Sequence, residues 1–201
     1  MADFIGAEGP SARRRAYLEV CVELLVDDLE GLAVAWGPGK GRYRARFLAL
    51  DSSRALGHIL TGLATLSGFE LASERIAVPL DSRSQEDEHS CFSDTTHQDF
   101  AANAEGVARV YFGLDPDREG PLGRLVRAAD PRLADELCGV LKETVRRAQA
   151  VPSPVDRALA AADGDPERVR LEELVAALQR QAKLLKAVGV ALGIDVRVRA
   201  E

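Results

Sequence analysis

Residues 166–193 read PERVRLEELVAALQRQAKLLKAVGVALG, and their apolar positions decide the fold. Leu171, Leu174, Leu178, Leu185, Val188 and Leu192 follow one another in steps of three and four, with Gln181 holding the one polar place in the line. That spacing puts all seven residues on one face of a helix, and a face this long needs neighbouring helices to cover it. Asp165 precedes Pro166, so a capping carboxylate stands before a proline that has no N–H to lose in the first turn. Gly193 closes the segment.

Working outward, the same start signal recurs at Asp130-Pro131 and Ser153-Pro154. Nearer the amino terminus, Leu18, Cys21, Leu25, Leu29, Leu32 and Trp36 predict a helix from about Ser11 to Trp36, stopped by Gly37-Pro38-Gly39. A second helix is predicted from about Tyr43 to Val78, ended by Pro79. A third opens at Ser93 or Asp94 and ends near Gly113. Only the tail after Gly193, DVRVRA, alternates with a period of two. The expected fold is an all-α, up-and-down bundle of the four-helix type with additional short helices, forming a single domain over residues 1–201. Residues 1–10 are expected to be flexible and residues 195–201 to form a tail.

The composition agrees. Of 201 residues, 46% are hydrophobic, 29% charged and 5% aromatic, a balance that suits long helices and a packed core. The net charge of −6, with basic residues scattered, argues against a nucleic-acid partner. No uninterrupted apolar run approaches the roughly 20 residues of a transmembrane segment. The start, MADFIGAEGP, has neither a basic region nor an apolar stretch, so no signal peptide is expected. Cys21, Cys91 and Cys138 match no zinc-site spacing. Cys21 and Cys138 fall in apolar patterns and read as small core residues.

Two helices break their own patterns. The line Leu56, Ile59, Leu63, Leu66 leads by another step of four to Glu70, with Glu74 one turn on and Arg75 beside it. A carboxylate continuing such a line is expected to face the interior, where it must be protonated, paired or bound to a cation. In the third helix, Phe100, Ala104, Val107 and Tyr111 extend backward to His97, three residues after Asp94. Just upstream stand Glu88 and His89. The fourteen residues EDEHSCFSDTTHQD, 86–99, thus hold two of the chain's three histidines among several carboxylates.

Nitrogen and oxygen donors at this density suit a transition metal: two histidines and a carboxylate for non-haem iron, or the same donors around zinc. Glu70, Glu74, Glu88, His89, Asp94 and His97 are the candidate ligands. Each has a plainer alternative. Glu86, Asp87 and Glu88 read equally as a solvated acidic run, Asp94 as a helix cap, His97 as a hydrogen-bonded core histidine, and Glu70 as the partner of Arg75. Cys91 reads more readily as structural than as a ligand, and His58 lies off the apolar line.

The string SQEDEHSCFSDTTHQDF, residues 84–100, resembles the characteristic EHSCFSDxTHxD stretch of the imelysin family. Residues 13–29, RRRAYLEVCVELLVDDL, resemble the helix that opens that family's second bundle. Residues 59–76, ILTGLATLSGFELASERI, and 102–113, ANAEGVARVYFG, resemble the helices on either side of the motif. The resemblance runs from about Arg13 to Ile194. It implies a carboxy-terminal imelysin bundle from a bacterial cell-envelope, periplasmic protein connected with iron uptake. It further implies either a piece of a two-bundle protein or a single-bundle variant.

The family's metallopeptidase classification rests on a GxHxxE motif. The nearest string here, Gly57-His58-Ile59-Leu60-Thr61-Gly62, lacks its spacing and its glutamate. Three functions follow as expectations, in order. The first is a module binding an iron or zinc ion. The second is a structural bundle that pairs with a second imelysin bundle or with a copy of itself. The third is an imelysin-type metallopeptidase.

Overall fold

Asp130 and Asp165 cap their helices as their sequence signals require. The Asp130 carboxylate accepts from the backbone N–H groups of Arg132 and Leu133, each at 3.0 Å, and Asp165 accepts from that of Glu167 at 2.8 Å. The Ser153-Pro154 signal behaves differently. Pro154 occupies the cap position itself and makes no side-chain cap, and the helix starts at Val155. The computed structural model describes residues 9–39, 41–115 and 119–198. The flexibility expected for residues 1–8 and the end of the tail, 199–201, lie outside the described residues.

In chain order the helices are α1 (Gly9–Trp36), α2 (Arg42–Leu48), α3 (Ser52–Thr65), a π-helical segment (Leu66–Ala77), α4 (Val78–Ser82), a 3₁₀ turn (Gln85–Asp87), α5 (Thr96–Phe112), α6 (Pro121–Ala129), α7 (Pro131–Gln149), α8 (Val155–Ala160) and α9 (Pro166–Ala191). No strand occurs among the described residues, and the fold is all-α. Packing divides the chain into two compact units, residues 1–55 and 56–201.

In the first unit, α1 meets α2 through an aromatic corner. The Trp36 ring lies 4.9 Å from that of Tyr43 and 5.5 Å from that of Phe47, centroid to centroid. The turn between the helices is tight: a side chain at Gly41 would stand 2.4 Å from the carbonyl oxygen of Ala35. The long second helix expected from Tyr43 to Val78 is interrupted at residues 49–51. Asp51 there accepts from the Arg54 N–H at 2.9 Å and starts α3.

The second unit is a bundle in which α9 packs against the π-helical segment and α7, α7 against α5, and the short α6 against α7. Pro79 does not end the rod that begins with α3. It falls in the first turn of α4, where the helix returns from π to α and no proline N–H is required, and the helix runs on to Ser82. The continuous rod Ser52–Ser82 is by length and composition apolar enough to cross a membrane. Here Leu60, Leu63, Leu71, Ala72 and Ile76 face the other helices and account for much of that hydropathy.

The core has two apolar halves. One gathers Leu71, Ile76, Phe100, Val155, Leu159, Leu171, Leu174 and Leu178. The other gathers Leu60, Leu63, Val107, Tyr111, Leu137, Leu141, Leu185 and Val188. On three helices a buried polar residue stands in sequence where one half gives way to the other: Ser67, Thr144 and Gln181. Each large apolar side chain removed from water contributes roughly 1.5–3 kcal/mol, so both halves are substantial. The tail explains its own alternation. Ile194, Val196 and Val198 pack on the second half while Asp195 and Arg197 face outward, and a side chain at Gly189 would meet Val196 at 2.3 Å.

Candidate functional site

The π-helical segment redirects the first pattern break. Hydrogen bonding from i to i+5 widens each turn, so the buried positions advance as Leu63, Ser67, Leu71 and Ala72, then Ile76. The line through Leu66 to Glu70 that an α-helix would keep therefore rotates off the core. Glu70 sits half-buried on the flank and Glu74 is exposed, so the expectation that Glu70 faces the interior is corrected. The polar residue in the core on this element is Ser67, whose hydroxyl donates to the Leu63 carbonyl at 2.7 Å and accepts from Gln181 at 2.8 Å.

The second pattern break forms a site. After α4, Arg83 takes a left-handed conformation (φ 55°) and anchors the turn, donating to the Ala161 carbonyl at 2.9 Å and pairing with Asp163 at 2.5 Å. Ser84 then accepts from the Glu86 N–H at 3.2 Å, closing the 3₁₀ turn. Glu86 and Asp87 stay in solvent, as an acidic run does, but Glu88 turns inward and is 5% exposed. Asp94 is exposed and also left-handed (φ 55°), and it belongs to the turn before α5 rather than capping it. The helix begins at Thr96, whose buried hydroxyl accepts from the Ser90 N–H at 2.9 Å and ties the turn back to its start.

Neither carboxylate oxygen of Glu88 has a hydrogen-bond partner, and the buried Nδ1 of His97 has none either. Burial pushes the Glu88 carboxyl above its ordinary range. Thr96 opposes this in part without reaching hydrogen-bond geometry, Asp156 and Asp94 push it further up, and His97 pulls it down. Glu88 thus feels both His97 on α5 and Asp156 on α8. A buried acceptor left unpaired costs on the order of 1–3 kcal/mol, which marks this pair as the place where the fold gives up stability.

The remaining candidates do not join them. His89 is exposed, its Nδ1 4.0 Å from the Asp99 carboxylate, and Asp99 takes the Ser90 hydroxyl at 2.5 Å. The serine proton points to the aspartate and not to the histidine, so this trio lacks the hydrogen bond from nucleophile to base that acyl-transfer chemistry needs. His58 is exposed and Cys91 is a half-buried free thiol. Among the described residues no three His, Cys, Asp or Glu side chains come together as a metal-holding group.

The chemistry of the Glu88–His97 pair nevertheless fits an ion. A carboxylate and an imidazole nitrogen, both without other partners, are the donor types that first-row divalent metals take. Two donors leave most of a coordination shell to be completed from elsewhere. Sequence reasoning passed over Ser90, Thr96, Asp99 and Asp156. The first three lie in or beside the polar string, as a serine, a threonine and an aspartate within two residues of its histidines. Asp156 lies some sixty residues away, and only the packing of α8 brings it near.

The fold and site define a helical-bundle protein whose turn before α5 buries an unpartnered carboxylate and imidazole. Residues 2–185 match the family model described as imelysin, and the chain belongs to the imelysin family. A search of curated proteins finds no match to it.

Proposed function

We propose that this chain is a metal-binding module of the bacterial cell envelope connected with iron uptake, and that Glu88 and His97 are its inner ligands. The observation that carries this reading is the pair of buried acceptor groups with no partner, set in the polar string that the family resemblance rests on. A metal ion supplies the missing positive charge and turns a destabilising burial into a favourable one. Iron and zinc both suit a mixed nitrogen and oxygen donor set. Asp94, exposed in the turn between the two ligands, and groups outside this chain are the candidates for completing the shell. A hydrolytic role gains no support, because His58 is exposed in a string without the glutamate of the GxHxxE motif.

Elemental analysis of protein purified without chelator or metal affinity resin tests this, beside a Glu88→Gln/His97→Ala double variant. Near-stoichiometric iron or zinc, lost in a variant with unchanged circular dichroism, is the expected result. Metal absent from the parent after incubation with ferrous, ferric and zinc salts, or retained by the folded variant, overturns the proposal.

A further inference from the structure

Helix α1 runs for 28 residues and buries none of them. Leu18, Val22, Leu25, Leu29, Leu32 and Val34 on it are all exposed, Leu25 by 57%. Apolar residues occur around most of its circumference, the pattern of a helix that is covered in its working state.

Its charges are segregated. Arg13, Arg14 and Arg15 stand near the amino-terminal end, while Asp27, Asp28 and Glu30 stand in the second half. No acidic residue occupies the first turn and no basic residue the last. This order opposes the helix macrodipole, which favours acids at the start and bases at the end. The Arg15–Glu19 pair, 3.8 Å apart, also has the less favourable direction for an i, i+4 pair. Within one helix the arrangement works against stability. Between two antiparallel helices it becomes complementary.

We infer that α1 is a self-association surface, and that its partner is α1 of a second copy of this chain in antiparallel, two-fold arrangement. A pair crossing at Cys21 sets Arg14 of one helix level with Asp28 of the other, and the symmetry repeats the match at the far end. Leu18 and Val22 of each copy then meet Leu24 and Cys21 of the other across the same level. A parallel pair would set arginine against arginine and aspartate against aspartate. Cys21, a free and half-buried thiol, lies next to its own symmetry mate at the centre.

The full chain in analytical ultracentrifugation provides the test. The parent should dimerise. An Arg13→Glu/Arg14→Glu/Arg15→Glu variant and an Asp27→Lys/Asp28→Lys/Glu30→Lys variant should each associate at least about tenfold more weakly. Mixing the two should restore a heterodimer, a result that misfolded variants cannot produce. Mild oxidation should cross-link the parent through Cys21 and fail with Cys21→Ser. A parent still monomeric at about 100 µM overturns the inference, since a dissociation constant far above that is too weak to be specific. So does a dimer that ignores both charge reversals, or the absence of pairing in the mixture.

Discussion

Gln181 donates its side-chain N–H to the Ser67 hydroxyl at 2.8 Å, joining α9 to the π-helical segment across 114 residues of sequence. The serine proton is already committed to the Leu63 carbonyl at 2.7 Å, so the Gln181 amide has only one orientation that works. Its carbonyl oxygen, Oε1, is left buried without a partner. The helices also approach closely here, since a side chain at Gly68 would come within 2.9 Å of Ala182. One polar contact therefore fixes the register of two helices that are otherwise apolar on both sides of it.

The consequence is testable by a double-variant cycle. Ser67→Ala should cost about 1–3 kcal/mol, because it strands the second end of a buried amide. Ser67→Ala combined with Gln181→Met should recover most of that loss, giving a coupling of at least about 1 kcal/mol in denaturant unfolding. Costs that simply add would show that the two side chains do not act as a unit.

The apolar line of α9 was readable because every one of its buried residues keeps a three-or-four step, and the Asp130 and Asp165 caps because their geometry is local. The π-helical segment was not readable. Nothing in the run from Leu66 to Ala77 distinguishes i+4 from i+5 bonding, and the difference decides whether Glu70 or Leu71 points inward. The site was half legible. His97 follows from extending the line through Phe100 and Ala104, but Glu88 is one of three consecutive acids, and only the 3₁₀ turn decides which one is buried. Asp156 required tertiary packing.

Glu88 makes a prediction about the metal-free protein. Its carboxyl is held above the ordinary value of 4.5 chiefly by burial. A raised carboxyl favours the native state below the unfolded value and withdraws that contribution as pH climbs through the folded value. At pH 7 the ionised group is thus a net cost, and Glu88→Gln should raise the melting temperature of chelator-treated protein. A gain on the order of 1 kcal/mol corresponds to about 2–4 °C for a domain of this size. The gain should vanish below pH 4.5, where the parent is also neutral. A variant less stable than the parent at pH 7 would mean that the carboxylate is satisfied in the native state.

Tyr111 supplies the alkaline counterpart. Its ring is 1% exposed, packed edge-on against Phe112 at 5.1 Å, and its hydroxyl reaches the Ala134 carbonyl only at 3.5 Å. Burial is the main cause that pushes its pKa from 10.0 to about 12, with Cys138 and Glu119 adding to it. The unfolded chain releases this proton near pH 10 and the native protein does not. The stability tied to the neutral phenol is therefore complete below pH 10 and lost as pH rises from 10 toward 12, on the order of 2–3 kcal/mol in all. Absorbance of tyrosinate near 295 nm should show Tyr111 ionising last of the three tyrosines, together with the loss of helical circular dichroism. Tyr111→Phe removes only a long hydrogen bond, so it should cost less than about 1 kcal/mol at pH 7 and shift alkaline unfolding to higher pH. An unchanged alkaline midpoint in Tyr111→Phe would place the cause of alkaline unfolding elsewhere in the chain.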